Sequence, residues 1–152
     1  MPAIVLENPT VDLSPVPVRR LIDLYEKNFN TLYPVISPDR LHIFASDAHI
    51  ASTVSKPSAE HKLFLLILAL GSIYDNSASH YENFSHKSLY EGYIPGLDYF
   101  NVADGIRGET YSLFYAQAEI LASLYYKQLD QLEKSLTAIN RAAKVLHDIL
   151  RR

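Results

Sequence analysis

GETYSLFYAQAEILASLYYKQLD, residues 108–130, is followed without a break by QLEKSLTAINRAAKVLHDILRR, residues 131–152. In the second segment Leu132, Leu136, Ile139, Ala143, Leu146 and Leu150 recur at spacings of four, three, four, three and four. That rhythm puts all six side chains on one stripe of a helix. Two helical patterns back to back predict a hairpin of helices. The stripe then reads first as the packed side of that hairpin, with a seam between two copies as the alternative. Leu132, Leu136, Ile139, Leu146 and Leu150, with Arg141 and Arg151 beside them, form the candidate interaction surface.

The rest of the chain extends the helical pattern. Residues 1–16 hold prolines and no helical period, so they read as an extended lead-in, and the helical domain is expected over 17–152. Val18, Leu21, Ile22, Leu24, Tyr25, Phe29 and Leu32 recur at helical spacing from Pro17 until Pro34 closes the segment, which predicts a first helix over Pro17–Leu32. Ser37-Pro38-Asp39 is a helix start with Ser37 as N-cap, and Leu41, Phe44, Ala45 and Ala48 follow it. After the polar connection Ala51–Ser58, Ser58 caps a third helix that is apolar nearly all round as far as Tyr74. A helix without a polar face belongs in the middle of a core. Gly71-Ser72 within it would either admit a neighbouring backbone or be simply tolerated. His80–Tyr93 reads as an aromatic-rich helix broken around Gly92, Pro95 and Gly96, and Leu97–Val102 resumes helically until Gly105 and Gly108. No β-branched alternation with hairpin signals is present. The expected architecture is all-α, with six or seven helices packed as successive antiparallel helical hairpins.

Composition supports a folded chain. With 152 residues, 48% of them hydrophobic, the chain can bury a core of its own without staples. It has no cysteine, which excludes disulfides, thiolate metal sites and a cysteine nucleophile. The N-terminus lacks the charged and apolar regions of a secretory signal, and the longest apolar run, Leu63–Leu70, falls far short of the roughly twenty residues that span a bilayer. A soluble intracellular protein with no membrane role is the expectation. The net charge of −3 argues against direct nucleic-acid binding by the whole chain. Charge is polarised, however. Lys127–Arg152 carries six basic and three acidic residues, leaving eight basic and fourteen acidic residues before it. The basic end suits either a solvated helix face or an acidic partner.

A search for chemistry finds no assembled site. None of the six histidines falls in an HExxH arrangement; His80 and His86 are six apart, and His42 and His49, seven apart, lack further ligands at tight spacing. No GxSxG occurs, and the Gly105–Gly108 turn is followed by Glu109-Thr110 where a phosphate loop requires Lys-Ser/Thr. Neither a catalytic, a cofactor-binding nor a metal site is therefore expected, and the chain is not expected to be an enzyme. Tyr81, Phe84, Tyr90, Tyr93, Tyr99, Phe100, Tyr111, Phe114, Tyr115, Tyr125 and Tyr126 could line a pocket for a small ligand. Core packing with hydroxyls on backbone carbonyls is the plainer reading.

Three ordered blocks resemble the fungal-specific transcription factor domain, the helical regulatory region that accompanies a binuclear zinc-cluster module in that family. LIDLYEKNFNTLYPVI (Leu21–Ile36) resembles its opening helix, with a Leu-x-x-Leu-Tyr/Phe pattern leading to Pro-Val/Ile. LFLLILALGSIYDN (Leu63–Asn76) resembles its buried Leu-rich helix ending in Ala-Leu-Gly-Ser/Ala. SLYEGYIPGLDYFN (Ser88–Asn101) and YAQAEILASLYYKQLDQLEKSLTAINRAAKVL (Tyr115–Leu146) resemble its later helix pair. The resemblance runs from Leu21 to Arg151.

The resemblance implies a nuclear, non-catalytic domain that modulates transcription through protein contacts or an effector, with 17–152 as the N-terminal portion of the family domain. Protein partners or a homodimer would be its contacts. The chain departs from the family in lacking the six cysteines, so DNA would be reached only indirectly, and zinc held only in a separate cysteine-rich module. A stand-alone helical interaction protein that keeps the fold without DNA binding is the alternative reading, and a small-molecule carrier a third.

Overall fold

In the computed structural model, residues 11–46, 49–50, 58–75, 94–106 and 112–151 are described. Six α-helices and no strand occur among them: α1 Pro15–Tyr25, α2 Pro38–Phe44, α3 Ala59–Ile73, α4 Leu97–Asp104, α5 Leu113–Gln128 and α6 Leu132–Leu150. The all-α expectation holds. The aromatic-rich segment His80–Tyr93 lies outside the described residues.

α3 organises the others. Every residue from Lys62 to Ser72 is buried, and Leu63, Phe64, Leu65, Ile67, Leu68, Ala69 and Leu70 are 0% exposed. A helix apolar on all sides needs neighbours on all sides. α1, α4 and α5 supply them, each packing directly on α3, while α6 packs on α5. The expectation of successive hairpins is thus met at α5–α6 and gives way at α3 to a hub. The reason is the missing polar face: one hairpin partner covers one side, and α3 has none to leave in water.

Small residues set the closest approaches. A Cβ on Gly71 would lie 2.1 Å from the Leu21 carbonyl oxygen, so α1 and α3 meet backbone to backbone there. Gly96, at φ 81°, precedes α4, and a Cβ there would lie 2.3 Å from the Ala69 carbonyl oxygen. Both positions therefore require glycine on steric grounds, and Gly96 on conformational grounds as well.

The helix ends follow local chemistry. Ser37, Ser58 and Ser112 accept the N–H of Arg40, His61 and Tyr115 at 3.2, 3.2 and 3.1 Å, so the caps read at Ser37 and Ser58 are in place. The first helix begins earlier than the Pro17 start read from the sequence. Ser14 occupies the N-cap position and Pro15 opens the first turn, whose free N–H positions proline does not waste. That helix widens into a π-helical turn over Glu26–Asn30 and ends before Leu32. Asn30, buried, explains the change: its amide donates to the Ile36 carbonyl at 2.8 Å, and its Oδ1 accepts the Ile36 N–H and the Tyr25 hydroxyl, both at 3.2 Å. The chain is thereby folded back on itself before α2.

α5 ends in a Schellman motif, with Gln131 N–H on the Tyr126 carbonyl at 2.9 Å and Asp130 N–H on that of Lys127 at 3.0 Å. The left-handed position, usually glycine, is Asp130 at φ 63°. This three-residue turn sends α6 back along α5. Two substitutions should act in opposite directions in urea unfolding. Gly71→Ala should cost roughly 3 kcal/mol, because a carbonyl cannot yield as a flexible side chain can. Asp130→Gly should be neutral or stabilise by up to about 1 kcal/mol by relieving the left-handed cost.

Candidate functional site

α6 carries two apolar stripes, not one. Ala138, Ala142 and Val145 are buried and Ser135 and Ile149 half-buried, and these face α5. Ser135 Oγ donates to the Ser123 carbonyl at 2.9 Å and lies 2.8 Å from Ser123 Oγ, which pins the start of α6 to α5. By helical geometry this stripe lies roughly 100° around α6 from the one formed by Leu132, Leu136, Ile139, Ala143, Leu146 and Leu150.

The larger stripe faces outward. Leu132 is 63% exposed, Leu136 60%, Ile139 37% and Leu150 84%; Ala143 is exposed and Leu146 half-buried. Its reading as the packed side of the hairpin is therefore corrected. Both stripes have the same three-and-four rhythm, and the sequence favours the bulkier. Contact with α5 favours the smaller, because Ser135, Ala138 and Ala142 allow the two backbones to close up. Covering each exposed aliphatic side chain would gain about 1.5–3 kcal/mol if it were fully buried. Contiguous exposed apolar surface of this kind marks a contact site in folded proteins.

Charges frame the face. Arg141, on the opposite side of α6, is tied to buried Glu119 of α5 through two bonds, Nε to Oε2 at 3.1 Å and a terminal nitrogen to Oε1 at 3.3 Å. Arg141 thus holds the hairpin together and does not line the outward stripe. Arg151 is exposed at the end of α6 and, with Ala143, Leu146, His147 and Leu150, lines an open depression. The structure consequently brings Leu132, Leu136, Ile139, Leu146, Leu150 and Arg151 to one side and assigns Arg141 elsewhere.

The aromatic residues within the described segments are occupied. Phe100 stacks on Tyr125 at 4.6 Å and meets Tyr126 edge-on at 5.1 Å. Tyr125 donates to the Pro95 carbonyl at 2.8 Å and Tyr99 to that of Asp12 at 2.7 Å, the core role expected of such hydroxyls. Tyr81, Phe84, Tyr90, Tyr93 and Tyr111 lie outside the described residues. A cleft of about 690 Å³ between the turn before α2, the first turn of α2 and the start of α5 is lined by Arg40, Phe114 and Gln117, among others. Its polar groups are engaged within the fold: Arg40 lies over Phe114 and 3.5 Å from Glu60, and Gln117 donates to the Val35 carbonyl at 2.9 Å.

Two histidines that no motif singled out sit among rings. His49 lies 4.8 Å from Phe44 and 5.1 Å from Phe64, and His61 stacks 6.4 Å from Phe64. Burial pushes both imidazoles below the usual histidine range. Glu60, 3.9 Å from His49 Nε2, partly opposes this for His49, Arg40 adds to it, and His49 lowers His61 further. Among the described residues, no group of three or more His, Cys, Asp or Glu could hold a metal ion, and no helix is long and apolar enough to cross a membrane.

Comparison of the chain with protein-family models, curated proteins and solved structures returned no match.

Two expectations follow from this geometry. Leu136→Gln and Leu150→Gln should each change unfolding free energy by no more than about 0.5 kcal/mol, whereas Ala142→Leu, which overfills the α5–α6 contact, should cost about 1–3 kcal/mol. Stability should also fall in mild acid. Because burial lowers the pKa of His49 and His61 in the folded chain, the unfolded chain takes up more protons as the pH falls through the ordinary histidine value of 6.5, so this contribution to stability is present above that pH and is lost progressively beneath it. The urea midpoint should be lower at pH 5.5 than at pH 7.5, and His61→Gln should flatten the difference.

Proposed function

We propose that this chain is a non-catalytic regulatory domain of the fungal transcription factor type, acting through protein contacts made by the outward face of α6. The observation that carries the reading is that face itself: four large aliphatic side chains held in water by a helix whose other side is fastened to the core. A helix pinned by a serine pair and by an ion pair to a buried carboxylate presents its outer residues at fixed spacing, which lowers the entropic cost of recognition. Further support comes from the ordered blocks Leu21–Ile36, Leu63–Asn76 and Tyr115–Leu146, which resemble that domain; the first overlaps the end of α1 and the turn after it, the second most of α3, and the third the α5–α6 hairpin. On this reading the domain is nuclear, and DNA is read by a separate cysteine-bearing module that holds the zinc.

The test is a reporter assay in a fungal cell, with the full chain fused to a heterologous DNA-binding module. The chain should shift reporter output several-fold in either direction. Leu136→Asp with Leu150→Asp should abolish the shift at unchanged protein level. Output indistinguishable from the DNA-binding module alone would overturn the reading.

A further inference from the structure

We propose that the partner of the α6 face is a second copy of this chain, paired antiparallel about a twofold axis level with residue 141. The inference rests on the reading of α6 as a contact surface and adds its occupant. Its first ground is spacing: alternating steps of four and three are the repeat of a two-helix seam, and here the seam is already laid out on the outside of the molecule.

Shape chooses the direction. A parallel pair would set Ala143 against Ala143 and leave a gap, and would set Ile139 against Ile139. An antiparallel pair sets Leu132 against Leu150 of the copy, Leu136 against Leu146, and Ile139 against Ala143, so each large side chain beside the axis meets a small one. The depression on α6 fits this register. Ala143, Leu146, His147 and Leu150 stand at i, i+3, i+4 and i+7, the four corners of a hole in knobs-into-holes packing. In the antiparallel register the knob facing that hole is Leu136 of the copy, and the symmetry repeats the contact at the other end.

Charge agrees with shape. Glu133 lies at the start of the seam's outer flank, with Lys144, His147 and Arg151 on the same flank toward its end. Antiparallel pairing puts Glu133 beside His147 and Arg151 of the copy, and it also opposes the two helix dipoles. A parallel pair would bring the basic ends together.

The area sets the strength. A 19-residue helix is about 28 Å long and about 10 Å wide, so the seam would remove on the order of 1,000 Å² from water for the pair. That is the lower end for a specific interface, and a dissociation constant of about 10–100 µM is expected.

Sedimentation velocity on the full chain from about 5 to about 500 µM, a range that brackets such an interface, should show a reversible monomer–dimer equilibrium. Leu136→Glu should weaken it at least about tenfold, as expected for a central anchor. Because the chain has no cysteine, orientation can be read by crosslinking. Mixed Leu136→Cys and Leu146→Cys chains should form a disulfide-linked heterodimer. Leu136→Cys alone should not, since its two thiols would lie about 15 Å apart along the seam. A monomer at every concentration, a dimer indifferent to Leu136→Glu, or a crosslink from Leu136→Cys alone would each overturn the proposal. A monomer whose α6 substitutions still abolish the reporter shift would overturn the self-pairing while leaving the regulatory contact to a different partner. A dimer whose reporter stays flat would support the self-pairing and overturn the regulatory reading.

Discussion

A helix with no polar side must be surrounded, and α3 imposes that constraint on everything else. Its run Leu63–Leu70 cannot be divided between core and water, so α1, α4 and α5 are drawn around it. The two glycine contacts show how tightly: Leu21 approaches Gly71 on one side, and Gly96 approaches Ala69 on another, both at distances that leave no room for a Cβ. With backbones this close, the entry and exit of α1 and α4 are constrained relative to α3. Asn30 turns the chain after α1, and Arg20, bonded through two nitrogens to buried Asp75 at 3.2 and 3.1 Å, ties α1 to the end of α3.

α5 transmits that order outward. Buried residues occupy most of its circumference, from Ala116 through Tyr125, because α3 lies on one side and α6 on another. Glu119 is the charged exception, and burying a carboxylate is costly unless it is paired. Arg141 supplies the pair from α6, and its half-exposed side chain keeps part of its own hydration. The ion pair and the Ser123–Ser135 contact thus fix the rotation of α6 about its axis. That rotation decides what the molecule shows to a partner. Turned by roughly 100°, the leucines would enter the core and the alanines would face water.

In the Arg40–Gln117 cleft, Arg40 and Gln117 are committed to holding the fold. Among the described residues, the apolar side of α6 gathers exposed aliphatic side chains at regular helical spacing. A protein that exposes leucines at regular spacing on a rigid helix spends stability to keep a surface available. That surface is the observation behind the contact role proposed for the chain.

Much of the fold was legible in the sequence. The caps at Ser37 and Ser58, the buried character of Leu63–Leu70, the close-approach glycine at position 71 and the hairpin formed by α5 and α6 all follow from local composition and periodicity. These act over a turn or two of chain, within reach of pattern reading. Asn30, Glu119 and the His49–His61 pair were not legible, since a single polar residue reveals its role only through partners that the fold brings to it. The same limit governed the candidate site. Periodicity determined that Leu132, Leu136, Ile139, Ala143, Leu146 and Leu150 share one side of a helix, and it did the same for Ala138, Ala142 and Val145. Which side met α5 was decided only by tertiary structure, because spacing specifies a face, whereas the distance at which two backbones can pack depends on the size of the side chains between them.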